Sequence, residues 1–320
     1  FFMLQIDKRT VFMMIFPNRS IDSWLIWDKA DDESIGENIL NHFSMSFFSS
    51  NFVVSNVFIR FSCLISKPFE FKDMILEVCT GSIESVLAAR TGGAQRVELC
   101  SALAEGGVTP SVGLMCEARK VEGIKLNVLI RPRGGDFLYT EEEVLIMEAD
   151  VLAARDIGAD GVVIGALTKY GDVDVAVCQR LVTAAGDMSV TFHRAFDMVR
   201  DPRQALEDVI ALGCDRILTS GMKPTAEEGV DNLRALVKAA KRRIVIMPGS
   251  GVSPENVAYI INRVVTTEIH ASARSLRPSL MEYQNTAVTM GAKDADEYAR
   301  KETDSTVVAE IVRKMAECVV

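Results

Sequence analysis

The pattern that decides the fold is complete in residues 74–100, which read MILEVCTGSIESVLAARTGGAQRVELC. A short run of aliphatic and β-branched residues begins near Ile75, and residues 83–90 form an Ala- and Leu-containing segment suited to a helix. A second short run then begins near Arg96. This order predicts one strand–helix–strand unit, from which sheets with parallel strands are built.

The same unit repeats along the rest of the chain. Further strand-like runs begin near Leu126, Gly161, Ser189, Arg216, Ile244 and Glu268. Helix-like segments lie between them, and the pairs Asp201-Pro202 and Ser253-Pro254 are typical of helix starts. Eight units in about 250 residues predict an α/β fold, specifically a (β/α)8 barrel of the TIM type. An open, doubly wound sheet is the alternative, but no GxGxxG follows the first strand.

The composition changes sharply near residue 73. Twelve of the 15 Phe lie before that point, but only one of the 21 Gly does. We therefore expect residues 74–320 to be a barrel with a C-terminal helical tail. Residues 1–73 are interpreted as a poorly ordered extension or an artefact of the gene model, with a membrane- or partner-binding arm as the alternative.

Charge and cysteine content exclude several classes of protein. The 320 residues carry 44 acidic and 35 basic side chains, a net charge of −9, which argues against a basic nucleic-acid-binding surface. No apolar run long enough for a membrane span occurs without a polar break. The seven scattered cysteines favour free thiols in a reducing compartment.

Polar residues gather where the predicted strands end, and in a barrel the chemistry lies at that edge. Glu77 and Cys79 are two residues apart, as are Glu98 and Cys100, so each pair shares one face of its strand. Since the residues between them are apolar, we expect both pairs to face the barrel axis. The two sulfurs are then expected about 5 Å apart on neighbouring strands. Two thiolates are suited to a soft ion such as Cu(I).

A second hypothesis is acid–base chemistry on a small phosphorylated or carboxylated metabolite. Its candidate acid, base and anion-clamp residues are Glu77, Glu98, Arg131, His193 and Asp197. Further anion-binding candidates are Arg133 and the turn Gly249, Ser250 and Gly251, which follows the seventh strand, where many barrels bind phosphate. A buried ion network that only sets strand register is the alternative for the carboxylates, and the two main hypotheses are compatible.

These stretches resemble the CutC family of copper homeostasis proteins, animal members in particular. The similarity is carried in chain order by LEVCTGS from Leu76, GGAQRVELCSALAEGGVTPSVGL from Gly92, LIRPRGGDFLYT from Leu129, TFHRAFD from Thr191, IMPGSGV from Ile246 and EIHASA from Glu268. It covers about three quarters of the chain. Ser250 stands where the family usually has Gly, and residues 1–73 have no counterpart in the family pattern.

The resemblance implies a (β/α)8 barrel, a homo-oligomer, and a cytoplasmic location that can extend to the nucleus. It also implies a role in copper handling, with Cu(I) at the cysteines that correspond to Cys79 and Cys100. It attaches no defined reaction to the chain, so whether the protein is an enzyme stays open at this point.

Overall fold

The computed structural model describes residues 2–6, 9–14, 25–28, 53–54, 57–58, 74–288, 290 and 296–318. The chain divides into two units, Phe1–Glu70 and Phe71–Val320. In the first unit, an antiparallel sheet is formed by Phe2–Ile6, Arg9–Met14 and Leu25–Asp28, and a two-stranded pair by Val53–Val54 and Val57–Phe58. The interpretation of residues 1–73 falls largely outside the described residues and stays a prediction.

The second unit contains eight parallel strands that alternate with helices. The strands are β1 (Ile75–Thr80), β2 (Arg96–Leu99), β3 (Lys125–Leu129), β4 (Gly161–Ile164), β5 (Ser189–Phe192), β6 (Arg216–Thr219), β7 (Val245–Pro248) and β8 (Glu268–Ala271). The helices are α1 (Ile83–Thr91), α2 (Val112–Arg119), α3 (Glu141–Ile157), α4 (Val175–Ala185), α5 (Pro202–Ala211), α6 (Val230–Ala240), α7 (Val257–Val264) and α8 (Ser305–Ala316). Among the described residues, no helix is both long and apolar enough to cross a membrane.

The strands close into a barrel. Each strand from β1 to β6 pairs in parallel with the next, and β8 pairs with β1, where His270 lies opposite Glu77. Between β7 and β8 the described residues form no ladder, but the Thr266 hydroxyl donates to the Ile246 carbonyl at 2.6 Å and links the two strands. The predicted (β/α)8 barrel is confirmed, and the open-sheet alternative is wrong because β8 returns to β1.

The last helix completes the outer ring. An antiparallel hairpin of β9 (Arg274–Pro278) and β10 (Ala299–Thr303) follows β8 and leads into α8, which packs between α1 and α7. Gly92 at the end of α1 makes this packing possible, because a Cβ there would lie 2.5 Å from Cβ of Val308. The C-terminal segment therefore takes the eighth helical place around the barrel.

The two faces of the strands bury different chemistry. Residues facing the helices are apolar, and Leu76, Val78, Val97 and Leu99 are fully buried there. The alternating residues face the axis, and several of them are polar or charged and buried: Glu77, Arg96, Glu98, Asn127, Thr191, Arg216, Glu268 and His270. Buried charges disfavour folding unless they are paired, so the barrel interior must contain a matched ion network.

Candidate metal centre and barrel mouth

The two predicted metal ligands meet at the ends of β1 and β2. Cys79 lies opposite Glu98 in the strand register, so Cys100 is two residues further along and just beyond β2. Despite this stagger, the two Sγ atoms are 3.9 Å apart. The Cys100 sulfur also lies 3.6 Å from an Oε of Glu98. A disulfide requires about 2.05 Å between sulfurs, so this is a pair of free thiols.

His270 on β8 completes the cluster. Ligand atoms of Cys79, Glu98 and His270 all lie within 4.8 Å of one another. The imidazole Nδ1 is 2.8 Å from Oε1 of Glu77, which fixes the ring, and Nε2 is 3.8 Å from Oε2 of Glu98. Among the described residues, this is the group of His, Cys, Asp and Glu side chains whose geometry could hold a metal ion.

Neighbouring charges and burial set the protonation of the sulfur pair. The hydrogen bond with Cys100 lowers the pKa of the Cys79 thiol to about 5; burial opposes this effect and His270 adds to it. Burial raises the pKa of the Cys100 thiol well above its usual value, as does its contact with Cys79. Burial also raises the pKa of the Glu98 carboxyl to about 8. Near neutral pH the pair therefore holds a thiolate at Cys79 that accepts a hydrogen bond from Cys100.

Glu77, the second carboxylate beside His270, has a lowered pKa, unlike Glu98. Burial would raise the pKa of Glu77, but Arg96 and His270 outweigh it and lower the pKa to about 2. Burial would lower the pKa of His270, but Cys79, Glu77 and Glu98 outweigh it and raise the pKa well above its usual value. Near neutral pH, a carboxylate at Glu77 thus faces an imidazolium at His270.

An ion network lies in the next layer of the barrel. The Arg96 guanidinium bridges two carboxylates, donating from Nε to Glu77 and from Nη2 to Glu268. Arg216 Nε donates to the same Glu268 oxygen at 3.1 Å, and Asn127 Nδ2 donates to Glu77 at 3.4 Å. This network fixes Glu77, and through Glu77 it orients His270 beside Cys79 and Glu98.

The two arginines expected to clamp an anion have separate sets of partners. Arg131 is buried, and its two terminal nitrogens donate to the carbonyls of Glu105, Gly107 and Gly135. Arg133 is half-buried and pairs with Glu143 at 2.5 Å. Arg131 therefore fastens the loops after β2 and β3, whereas Arg133 fastens the start of α3. Anion binding by either residue stays a prediction.

Asp197 and the glycine turn hold the loops after β6 and β7. The Asp197 carboxylate accepts from the Thr219 hydroxyl at 2.5 Å and from the backbone N–H groups of Ser220 and Met222. Ser250 has a φ of 80°, in the left-handed region that favours glycine, and its hydroxyl donates to the Pro224 carbonyl at 2.9 Å. Gly249 faces the axis, where a Cβ would lie 2.4 Å from Leu218. The acid–base and phosphate roles predicted for these residues remain predictions.

His193 makes the stability of the fold depend on pH. Burial and the charge of Arg131 lower its pKa to about 3, so the folded protein keeps the ring neutral. In the unfolded chain the ring is protonated below about pH 6.5, so the stabilisation is complete above that pH and is lost as the pH falls towards 3. From about pH 7 to about pH 5, we expect the parent to lose about 2 kcal/mol more unfolding free energy than His193→Asn. Equal losses in urea denaturation would contradict this.

A known protein family covers the site residues described above. The CutC family model matches residues 74–275. The chain belongs to the CutC family. The matched region contains the whole cluster of Cys79, Cys100, Glu98 and His270. A CutC family protein of Chromobacterium violaceum is 52% identical over 236 residues, 74% of this chain and 96% of that protein.

Animal and structural relatives agree with this assignment. The human protein named copper homeostasis protein cutC homolog is 48% identical over 235 residues, 73% of this chain and 86% of its own length. The crystal structure of CutC from Streptococcus agalactiae matches with a TM-score of 0.60 and 35% identity, over 62% of this chain and 98% of that one. The CutC barrel is thus the part of the chain that the relatives share.

Sequence reasoning did not single out His270 and Arg96 as site residues. Both belong to the same axis-facing, alternating pattern as the predicted site residues. Arg96 is two residues before Glu98, and His270 is two residues after Glu268. Both contact Glu77, Arg96 from the neighbouring strand β2 and His270 from β8, the last strand of the barrel. The available signal was the barrel itself, because closure places β8 next to β1 and a polar β8 residue next to Glu77.

Proposed function

We propose that this protein is a copper homeostasis protein that binds Cu(I) through Cys79 and Cys100. The observation that carries the proposal is the 3.9 Å separation of their sulfurs at the mouth of the barrel. Relatives at about half identity carry the name of copper homeostasis proteins. In this proposal the protein binds the copper ion as cargo. No catalysed reaction is assigned to the protein.

The donor set suits a soft, monovalent ion. First-row metals bond thiolate sulfur at about 2.3 Å, so two sulfurs at this separation can both contact one ion. Thiolates select Cu(I) over hard cations such as Mg²⁺ and Ca²⁺. Cys79 is already ionised near neutral pH, and Cys100 would lose its proton on binding, as metal ligands do.

The surroundings of the sulfurs fit the charge of such a complex. Two thiolates and one Cu(I) carry a net charge of −1, and the His270 imidazolium lies beside Cys79 to balance it. Glu98 has a raised pKa and therefore adds little negative charge near neutral pH. The free cysteines of the described residues match a reducing compartment, so we place the protein in the cytoplasm, with the nuclear and homo-oligomeric assignments retained as predictions.

The test is an anaerobic Cu(I) titration of the full chain against a competing chelator. We expect one Cu(I) bound tightly by the parent, and affinity at least about a hundredfold lower for Cys79→Ser and for Cys100→Ser, because each removes one of two thiolates. Cys116→Ser is the matched control, since that cysteine is exposed and outside the cluster.

Two results would count against the proposal. The first is binding of similar strength in the parent and the Cys79→Ser/Cys100→Ser double variant. The second is a loss of affinity in Cys116→Ser as large as in the cluster variants. Circular dichroism of each variant establishes that lost binding does not reflect lost folding.

A further inference from the structure

Three buried polar atoms at the barrel mouth have no hydrogen-bond partner among the residues that the structure describes: Nε of Arg131, the hydroxyl of Tyr139 and Nε2 of His193. The Arg131 guanidinium lies 5.1 Å from the Phe137 ring, and the His193 ring lies 5.0 Å from the same ring. Burial has the largest effect on the pKa of both Tyr139 and His193, but the charge of Arg131 also acts on each, so Arg131 lies near both. Both Arg131 and His193 are more than nine-tenths buried. Buried polar atoms normally have hydrogen-bond partners, so the lack of partners at all three atoms indicates a binding site for a ligand.

All three atoms are donors. His193 Nδ1 accepts the N–H of Ala195 at 3.1 Å, so the proton of the neutral ring is on Nε2. Arg131 Nε always carries a hydrogen. Burial raises the pKa of the Tyr139 phenol to about 12, so its hydroxyl keeps its proton. A group that satisfies three donors must offer acceptor lone pairs, and negative charge on it strengthens the bond to the cationic donor, Arg131.

We propose that Arg131, Tyr139 and His193 form a binding site for a small oxyanion, a carboxylate or phosphate group of a metabolite. The site lies at the ends of β3 and β5, whereas the sulfur cluster lies at the ends of β1, β2 and β8. It does not rest on copper binding. His193 acts in it as a neutral hydrogen-bond donor rather than as a general base.

Neighbouring residues fix the positions of these donors before a ligand binds. Backbone carbonyls occupy three of the four terminal N–H groups of Arg131, and Nε is its one nitrogen that has no partner among the described residues. Gly165 leaves space for the His193 ring, since a Cβ there would lie 2.4 Å from its Cε1. Donors fixed before binding lose little entropy when the ligand arrives, which favours binding of even a small anion.

The experiment is an NMR titration of the full chain with ¹⁵N-labelled histidine. The probes are pyruvate, for a carboxylate, and inorganic phosphate, with chloride at equal ionic strength as the reference. We expect one probe or both to shift the His193 Nε2 resonance saturably, and the stronger binder assigns the group. His270 is the internal control, because it belongs to the separate sulfur cluster.

Tyr139→Phe tests the donor set and keeps the aromatic ring, because it removes only a hydroxyl that has no hydrogen-bond partner within the described part of the chain. We expect this variant to bind the preferred probe about tenfold more weakly, as for the loss of one hydrogen bond to a charged group. Tyr170→Phe, at an exposed tyrosine, is the matched control and should bind like the parent. The proposal is overturned if neither probe shifts His193 saturably, or if Tyr139→Phe and Tyr170→Phe bind alike.

Discussion

Arg96→Met is expected to cost about 3 to 5 kcal/mol of unfolding free energy, one of the two largest effects in this barrel. The substitution keeps a long side chain but removes the only guanidinium that bridges Glu77 and Glu268 in the described network. Both carboxylates are buried, so each would lose its ion pair with Arg96 without gaining water. Urea denaturation at neutral pH measures the loss as a lower midpoint.

Arg243→Met is the matched control for this prediction. Arg243 also pairs with a carboxylate through two nitrogens, at 2.6 and 2.7 Å from Glu207, but both side chains are about half exposed. Exposed pairs contribute about 0 to 1 kcal/mol, since water solvates the freed partner. Losses of similar size in the two variants would show that the interior network contributes no more than a surface pair.

Gly229→Ala is expected to destabilise the protein by about 3 kcal/mol or more. Gly229 is buried immediately before α6, and its φ of −89° suits any residue, so the constraint is space. A Cβ there would lie 1.8 Å from the Ser220 carbonyl oxygen and 2.9 Å from its carbon. Both atoms are backbone, so relief requires the loop that Asp197 holds after β6 to move.

Gly113→Ala is the matched control for Gly229→Ala. Gly113 lies in the first turn of α2, where a Cβ would meet only the Ser111 hydroxyl oxygen, at 3.9 Å. Alanine in open helical positions stabilises a protein by about 0.5 to 1 kcal/mol relative to glycine. Opposite signs in thermal unfolding are therefore expected for the same chemical change. A mild effect of Gly229→Ala would mean that α6 and the β6 loop separate easily.

Much of the fold could be predicted from the sequence, because strand alternation is a local property. Glu77 and Cys79 were expected to face the axis since their neighbours Leu76 and Val78 suit the helical layer, and the structure buries Leu76 and Val78 against the helices. The repeated strand–helix units also predicted the closed barrel over the open sheet. The sulfur pair could be anticipated for the same reason, since β1 and β2 are neighbours in both chain and space.

The roles of other residues depend on partners far away in the chain. In the sequence, Arg131 is a cation that follows a strand, and nothing nearby indicates that it is buried. Its carbonyl partners come from two loops that meet only in the folded barrel. The residues that complete its cluster of unpaired donors, Tyr139 and His193, come from two different strand–loop segments. Local pattern does not encode which donor is left without an acceptor.

The sequence by itself determined the barrel, the inward-facing carboxylates and the adjacent thiols, because residue alternation and hydrophobic pattern act over a few neighbouring positions. Only the tertiary structure decided that His270 joins the thiols and that Arg96 neutralises Glu77 and Glu268. It also decided that His193 stays neutral with its proton on Nε2. Each of these depends on the closure of β8 onto β1 or on the burial of charge, and burial changes the energy of an ion only once the whole chain has excluded water.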